Sequence, residues 1–178
     1  GASARTSGAL LAGRDVNLTA LGSVNLGGVV TIQGGDDVVM DITGELTSSD
    51  QLTVKAIAGS TTIRSTSAGN VSLAGETQIS GQTGVSIALN NGSFTATGST
   101  AVTSAAGATA ITLSEGRAAV SGTTSIQGTS VSLTQNSAAS TPGLTTAGTT
   151  SISATMTDVT LNLNDALRFA GATTVTAA

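Results

Sequence analysis

The sequence predicts an all-β protein, a β-helix or β-solenoid built from units of about eight residues, each a short strand plus a corner. Three observations carry that expectation. Apolar residues sit two apart within short beats, the beats recur about every eight residues, and large aromatic side chains are almost absent. Spacing of two places the apolar side chains on one face of a strand and Asn, Ser or Thr on the other. A short fixed period with tight corners suits a prism wound from one strand per face, whereas a sandwich needs longer strands and bulky facing layers.

Along the chain the beats begin with Val16 and Leu18, then Val24 and Leu26, then Val38, Met40 and Ile42. Later members include Val131 with Leu133, and Val159 with Leu161 and Leu163. Their centres fall at Asn17, Asn25, Thr31, Met40, Leu46, Val54, Ile63, Ser72, Ile79, Ser86, Phe94, Val102, Thr112, Ala119, Ile126 and Ser132. After a break they resume at Leu144, Ile152, Leu161, Arg168 and Val175. Individual steps range from about six to twelve residues. These segments are too short for helices, and their Thr and Gly content disfavours helix throughout.

Glycine follows the last apolar residue by two in Ile32-Gln33-Gly34, Ile79-Ser80-Gly81, Val120-Ser121-Gly122 and Ile126-Gln127-Gly128. These positions are expected to be corners in which glycine supplies a positive φ. The interior must be narrow, since it is filled by Val, Ile, Leu, Ala and Thr, with only two Phe and no Trp or Tyr in 178 residues. Ser and Thr make up close to a third of the chain, a composition often found in disordered tracts. The regular β-branched alternation argues for strands instead.

Two windings fit the octad. A lone chain would place three beats in each turn of about 24 residues, while three interwound chains would each give one face at a time to a shared triangular shaft. The interwound homotrimer is favoured, because it pairs every strand edge along the shaft. Residues 1–12 are expected to be a lead-in carrying a tag scar, and residues 13–134 the β-helical shaft. Residues 135–150 hold the only proline, Pro142, and read as a loop or joint. Residues 151–178 read as further turns or the start of a tip module, with one helical turn capped by Asn164 in "NDALRFAG".

Composition removes most chemistries. With no His or Cys, the usual nucleophilic triads cannot be built. Paired-carboxylate glycosidase chemistry would have to use Glu45, Glu76 and Glu115, with no aromatic platform beside them. "GGDDVVMDITG" resembles half of a glycine- and aspartate-rich calcium repeat, but only one copy occurs. Its carboxylates, with those that follow (Asp36, Asp37, Asp41, Glu45 and Asp50), read as a solvated face. Sequon matches at Asn17, Asn70 and Asn91 arise by chance in a Ser/Thr-rich chain. No catalytic, cofactor-binding or metal-ligating residue is assigned. The six basic residues, Arg5, Arg14, Lys55, Arg64, Arg117 and Arg168, are scattered singly against a net charge of −4. That distribution does not fit a nucleic-acid partner. No apolar run reaches the length a membrane helix needs, so no stable membrane insertion is expected.

The corners Ile79-Ser80-Gly81, Val120-Ser121-Gly122 and Ile126-Gln127-Gly128 resemble the octad shafts of trimeric β-helical spikes. Such spikes occur in contractile-tail phages, type VI secretion tips and the vertices of some large viruses. The resemblance implies an interwound, non-catalytic homotrimer at a virion or secretion-apparatus tip, contacting or puncturing a host cell surface or cell-wall polysaccharide. The stretch "LLAGRDVNLTALGSVNLGG" is similar to repeats of filamentous haemagglutinin-type secreted adhesins. That similarity implies a single-chain solenoid at the cell surface. Either resemblance implies a fibre whose work is reach and contact.

Overall fold

The structure, a computed structural model, describes residues 2–4, 8–66, 69–114, 116–136, 144–164 and 167–178. The chain coils in one sense, three strands to a turn. The first turn contains β1 (Ala2–Ala4), β2 (Gly8–Ala12) and β3 (Val16–Ala20), and the second β4 (Val24–Leu26), β5 (Val30–Gly34) and β6 (Val38–Ile42). The third contains β7 (Leu46–Ser48), β8 (Leu52–Ala56) and β9 (Ser60–Ser65), and the fourth β10 (Val71–Leu73), β11 (Thr77–Gly81) and β12 (Gly84–Leu89). The fifth contains β13 (Phe94–Ala96), β14 (Thr100–Ser104) and β15 (Ala108–Leu113), and the sixth β16 (Ala118–Val120), β17 (Thr124–Gly128) and β18 (Val131–Gln135). The seventh contains β19 (Leu144–Thr146), β20 (Thr150–Ala154) and β21 (Val159–Leu163), and an eighth begins with β22 (Leu167–Phe169) and β23 (Thr173–Thr176).

Like strands of successive turns stack into three parallel sheets. Sheet A runs from β1 to β22, sheet B from β2 to β23 and sheet C from β3 to β21, each taking every third strand. One turn spans 22 residues between Val24 and Leu46 and stretches to 28 between Val131 and Val159. Each ladder lies within the one chain, so of the two windings open to the octad the chain follows the lone coil. Association of several such chains is a separate matter of assembly.

Alternation builds the interior. In β14, Thr100, Val102 and Ser104 are buried while Ala101 and Thr103 face outward. The register then stacks like on like: Val54, Ile79, Val102, Ile126 and Ile152 follow one another up sheet B, and Ile63, Ile87 and Ile111 up sheet C. With Leu46, Leu73, Phe94 and Leu144 from sheet A they form a single continuous core. Burying each such aliphatic side chain contributes roughly 1.5–3 kcal/mol. Threonine enters this core in two ways. Thr61 and Thr109 are buried beside the corner between sheets B and C, where their hydroxyls donate to the carbonyls of Ser80 and Gln127, each at 2.7 Å. At the start of the sheet B strands, Thr77, Thr100, Thr124 and Thr150 stack directly on one another.

Three sequence-based expectations are corrected. Glycines at the corners do not supply a positive φ: among the described residues only Gly28, at 83°, and the non-glycine Asn91, at 57°, have one. What the corners need is space. A Cβ on Gly122 would run into the carbonyl of Gly98 one turn earlier, and Gly98, Gly148 and Gly171 face the same obstacle in their own turns. At Gly34, Gly81 and Gly128 the obstructing carbonyl lies across the chain's own corner, on Asp37, Gly84 and Ser130.

Secondly, the helical turn expected after Asn164 is overturned. Leu167–Phe169 is strand β22, paired with β19, and Ala170 N–H donates to Thr146 O at 2.7 Å. An isolated helical turn carries the full cost of nucleation, whereas the existing ladder offers partners at once. Residues 165 and 166 lie outside the described residues.

Thirdly, the coil starts before residue 13. β1 and β2 fall within the expected lead-in, and Leu10 of β2 pairs with Ile32. The expected joint at 135–150 does not interrupt the ladders, since β16 pairs with β19 and β17 with β20. Residues 137–143, with Pro142, lie outside the described residues. Residues 151–178 continue the winding through β20 to β23.

Candidate functional site

The outward-facing residues are what this coil offers to a partner. On a parallel stack these residues repeat at the inter-strand spacing of about 4.8 Å. Charge is unevenly spread among them. The first three turns carry Arg14, Asp15, Asp36, Asp37, Asp41, Glu45, Asp50, Lys55 and Arg64. From residue 77 to 157 the only charged side chain among the described residues is Arg117. Over that stretch sheet B turns Gln78, Ser80, Ala101, Thr103, Ser125 and Gln127 outward, and sheet C turns Ser86, Ala88, Ala110, Thr112, Ser132 and Thr134 outward. Sheet C also has a shallow depression of about 270 Å³ lined by Ser60, Thr62, Thr83, Ser86 and Ala110 among others. A hydroxyl donates and accepts hydrogen bonds, so these two faces can engage neutral polar groups without an ionic term.

The carboxylates of the acidic stretch do not converge. Asp36 and Asp37 lie at the corner between β5 and β6, Asp41 lies within β6, Glu45 lies between β6 and β7, and Asp50 lies between β7 and β8. They are thus distributed around most of a turn, and no three His, Cys, Asp or Glu cluster with metal-binding geometry among the described residues. Asp41 pairs with Arg64 across the β6–β9 ladder at 3.7 Å. Both side chains are well exposed, and such pairs contribute little to stability. Glu45 accepts from Asn70 Nδ2 at 3.3 Å, and Glu76 from Gln78 Nε2 at 3.2 Å. Glu45 and Glu76 occupy different corners, while Glu115 lies outside the described residues. The three sequon asparagines, Asn17, Asn70 and Asn91, are all exposed, and the side chain of Asn70 is engaged by Glu45 and by the N–H of Ser93 at 2.9 Å.

A role that composition did not reveal belongs to the corner acceptors. Asp15 Oδ1 accepts the N–H of Asp37 at 3.1 Å, Ser23 Oγ that of Glu45 at 3.2 Å, and Asn70 Oδ1 that of Ser93. In each case a side chain of one turn satisfies a backbone donor of the next, where the sheet ladder is interrupted by the corner. The signal was present in the sequence: Asp-Val occurs at 15–16 and again at 37–38, one turn apart. No protein-family model, no curated protein and no solved structure matches this chain.

Proposed function

We propose that the chain is a non-catalytic structural fibre of the adhesin type, a rigid solenoid that displays hydroxyl-rich faces to a cell surface or cell-wall polysaccharide. The observation that carries this reading is the winding. The ladders join turns of one chain into a continuous core, which gives a stiff rod needing no partner to pair its internal strands. The uncharged stretches of sheets B and C from residue 77 onward support a neutral, hydroxylated partner such as a polysaccharide, and a partner of that kind fits a protein that works outside the cell or at its surface. The absence of His and Cys, and the separation of Glu45 from Glu76, support a role without turnover.

A second reading, a homotrimeric spike at a virion or secretion-apparatus tip, is supported by the octad and its glycine corners. It requires three chains to associate.

The adhesin reading is tested by incubating the purified chain with insoluble polysaccharides, peptidoglycan and lipid vesicles. Retention on a polysaccharide without release of soluble product is expected. Product release that vanishes on changing Glu45, Glu76 or Glu115 to Gln would overturn the reading in favour of a solenoid polysaccharide-degrading enzyme.

A further inference from the structure

The corner between β12 and β13 consists of Asn90, Asn91, Gly92 and Ser93. Asn91 is the only non-glycine residue with positive φ among the described residues, a left-handed conformation that asparagine tolerates better than most side chains. Its side chain is exposed, and neither its amide nor the N–H of Gly92 makes a hydrogen bond among the described residues. Of the eight asparagines in the chain, only Asn91 is followed by glycine. The others have bulkier neighbours. Asn70 in particular is held on both sides, by Ser93 and Glu45, and is followed by β-branched Val71.

We propose that Asn91-Gly92 is a site of spontaneous covalent modification, deamidation through a cyclic imide with water as the only co-reactant. Solvent base removes the proton from Gly92 N, and that nitrogen attacks Cγ of Asn91. The new N–Cγ bond closes a five-membered ring, the Cγ–Nδ2 bond breaks, and the leaving nitrogen takes up a proton as ammonia. Water then opens the imide at one of its two carbonyls. Opening at Cγ leaves aspartate in the normal backbone. Opening at the main-chain carbonyl leaves isoaspartate, whose backbone runs through Cβ and Cγ. No electron is transferred overall. Glycine makes the step feasible because no side chain shields its nitrogen.

The consequence is local and specific. Gly69, Gly92 and Gly116 form a column at this corner, in which a Cβ on Gly92 would strike the carbonyl of Gly69, and one on Gly116 the carbonyl of Gly92. An isoaspartyl link inserts an extra carbon into the backbone of that column and puts a carboxylate where a neutral amide stood. Gly92 is itself packed within the column, so transient opening of the corner sets the pace. Asn91 thereby records the age of the fibre.

The test is to incubate the full chain and a free peptide of residues 86–97 side by side at mildly alkaline pH. Both are then digested and mapped by mass, with isoaspartyl methyltransferase labelling. A gain of one mass unit at residue 91, mostly as isoaspartate, is expected about tenfold or more faster than at any other asparagine. It should be slower than in the peptide and absent from residue 91 of an Asn91→Gln chain. An unchanged Asn91 in the full chain after the peptide has converted fully would overturn the proposal, as would earlier conversion at another asparagine.

Discussion

Asp37 Oδ1 accepts both the backbone N–H of Ser60, at 2.6 Å, and its hydroxyl, at 3.1 Å, joining the second turn of the coil to the third at a corner. Removing the acceptor in Asp37→Ala strands a backbone donor and should destabilise the coil by about 1 kcal/mol. Asp37→Asn keeps an oxygen in place and should recover most of that loss. Chemical denaturation of the two variants measures the difference, and equal stability of both would show that the corner bond contributes nothing.

The two faces of each strand should respond oppositely to charge. Ile87, Val102 and Ile126 are buried, whereas Ser86 and Ser125 lie on the outer face of their strands. Asp at any of the three buried positions places an unpaired carboxylate in an apolar interior and should abolish cooperative folding. Asp at Ser86 or Ser125 should leave the circular dichroism spectrum and melting midpoint close to those of the parent chain.

Glycine tolerance should depend on stacking. A Cβ at Gly122 meets the carbonyl of Gly98, while one at Gly13 has nothing within 4 Å. Gly122→Ala should cost about 1–3 kcal/mol through enforced backbone shifts. Gly13→Ala should be neutral or slightly stabilising, because it restricts the unfolded chain. Thermal melting of both variants reads the contrast directly.

The core has a small fault between its fifth and seventh turns. A cavity of about 40 Å³ is lined by Phe94, Val102, Ala118, Leu133 and Leu144, where Ala118 stands between the larger Phe94 and Leu144 in sheet A. Filling it with Ala118→Val should stabilise the chain by up to about 1 kcal/mol. A lower melting midpoint would mean that the space is needed by its neighbours.

Much of this architecture was legible because it is encoded locally. All 21 beat centres, from Asn17 to Val175, fall one to a strand in β3 through β23, since spacing of two is a property of the strand itself. What escaped was set by neighbours a whole turn away. The purpose of Gly122 depends on Gly98, which a reading of the corner alone cannot supply. Leu167–Phe169 became a strand because β19 was there to pair with it. Sparse charge was visible in composition, but the uncharged stretch of sheets B and C from residue 77 to 157 emerged only with the turn length. The carboxylates Asp36 to Asp50 are close in sequence, and the corners between them spread them around the coil, in keeping with their reading as a solvated face.

The central claim is that one chain supplies all the strands of each turn. Seven turns at about 4.8 Å make a coil about 35 Å long, whereas an interwound trimer climbing one layer per octad would reach roughly 100 Å. Small-angle scattering combined with light-scattering mass measures both quantities on one sample. A particle of single-chain mass and about 35 Å along the coil axis is the predicted result. A monodisperse rod near 100 Å with the mass of three chains would contradict it.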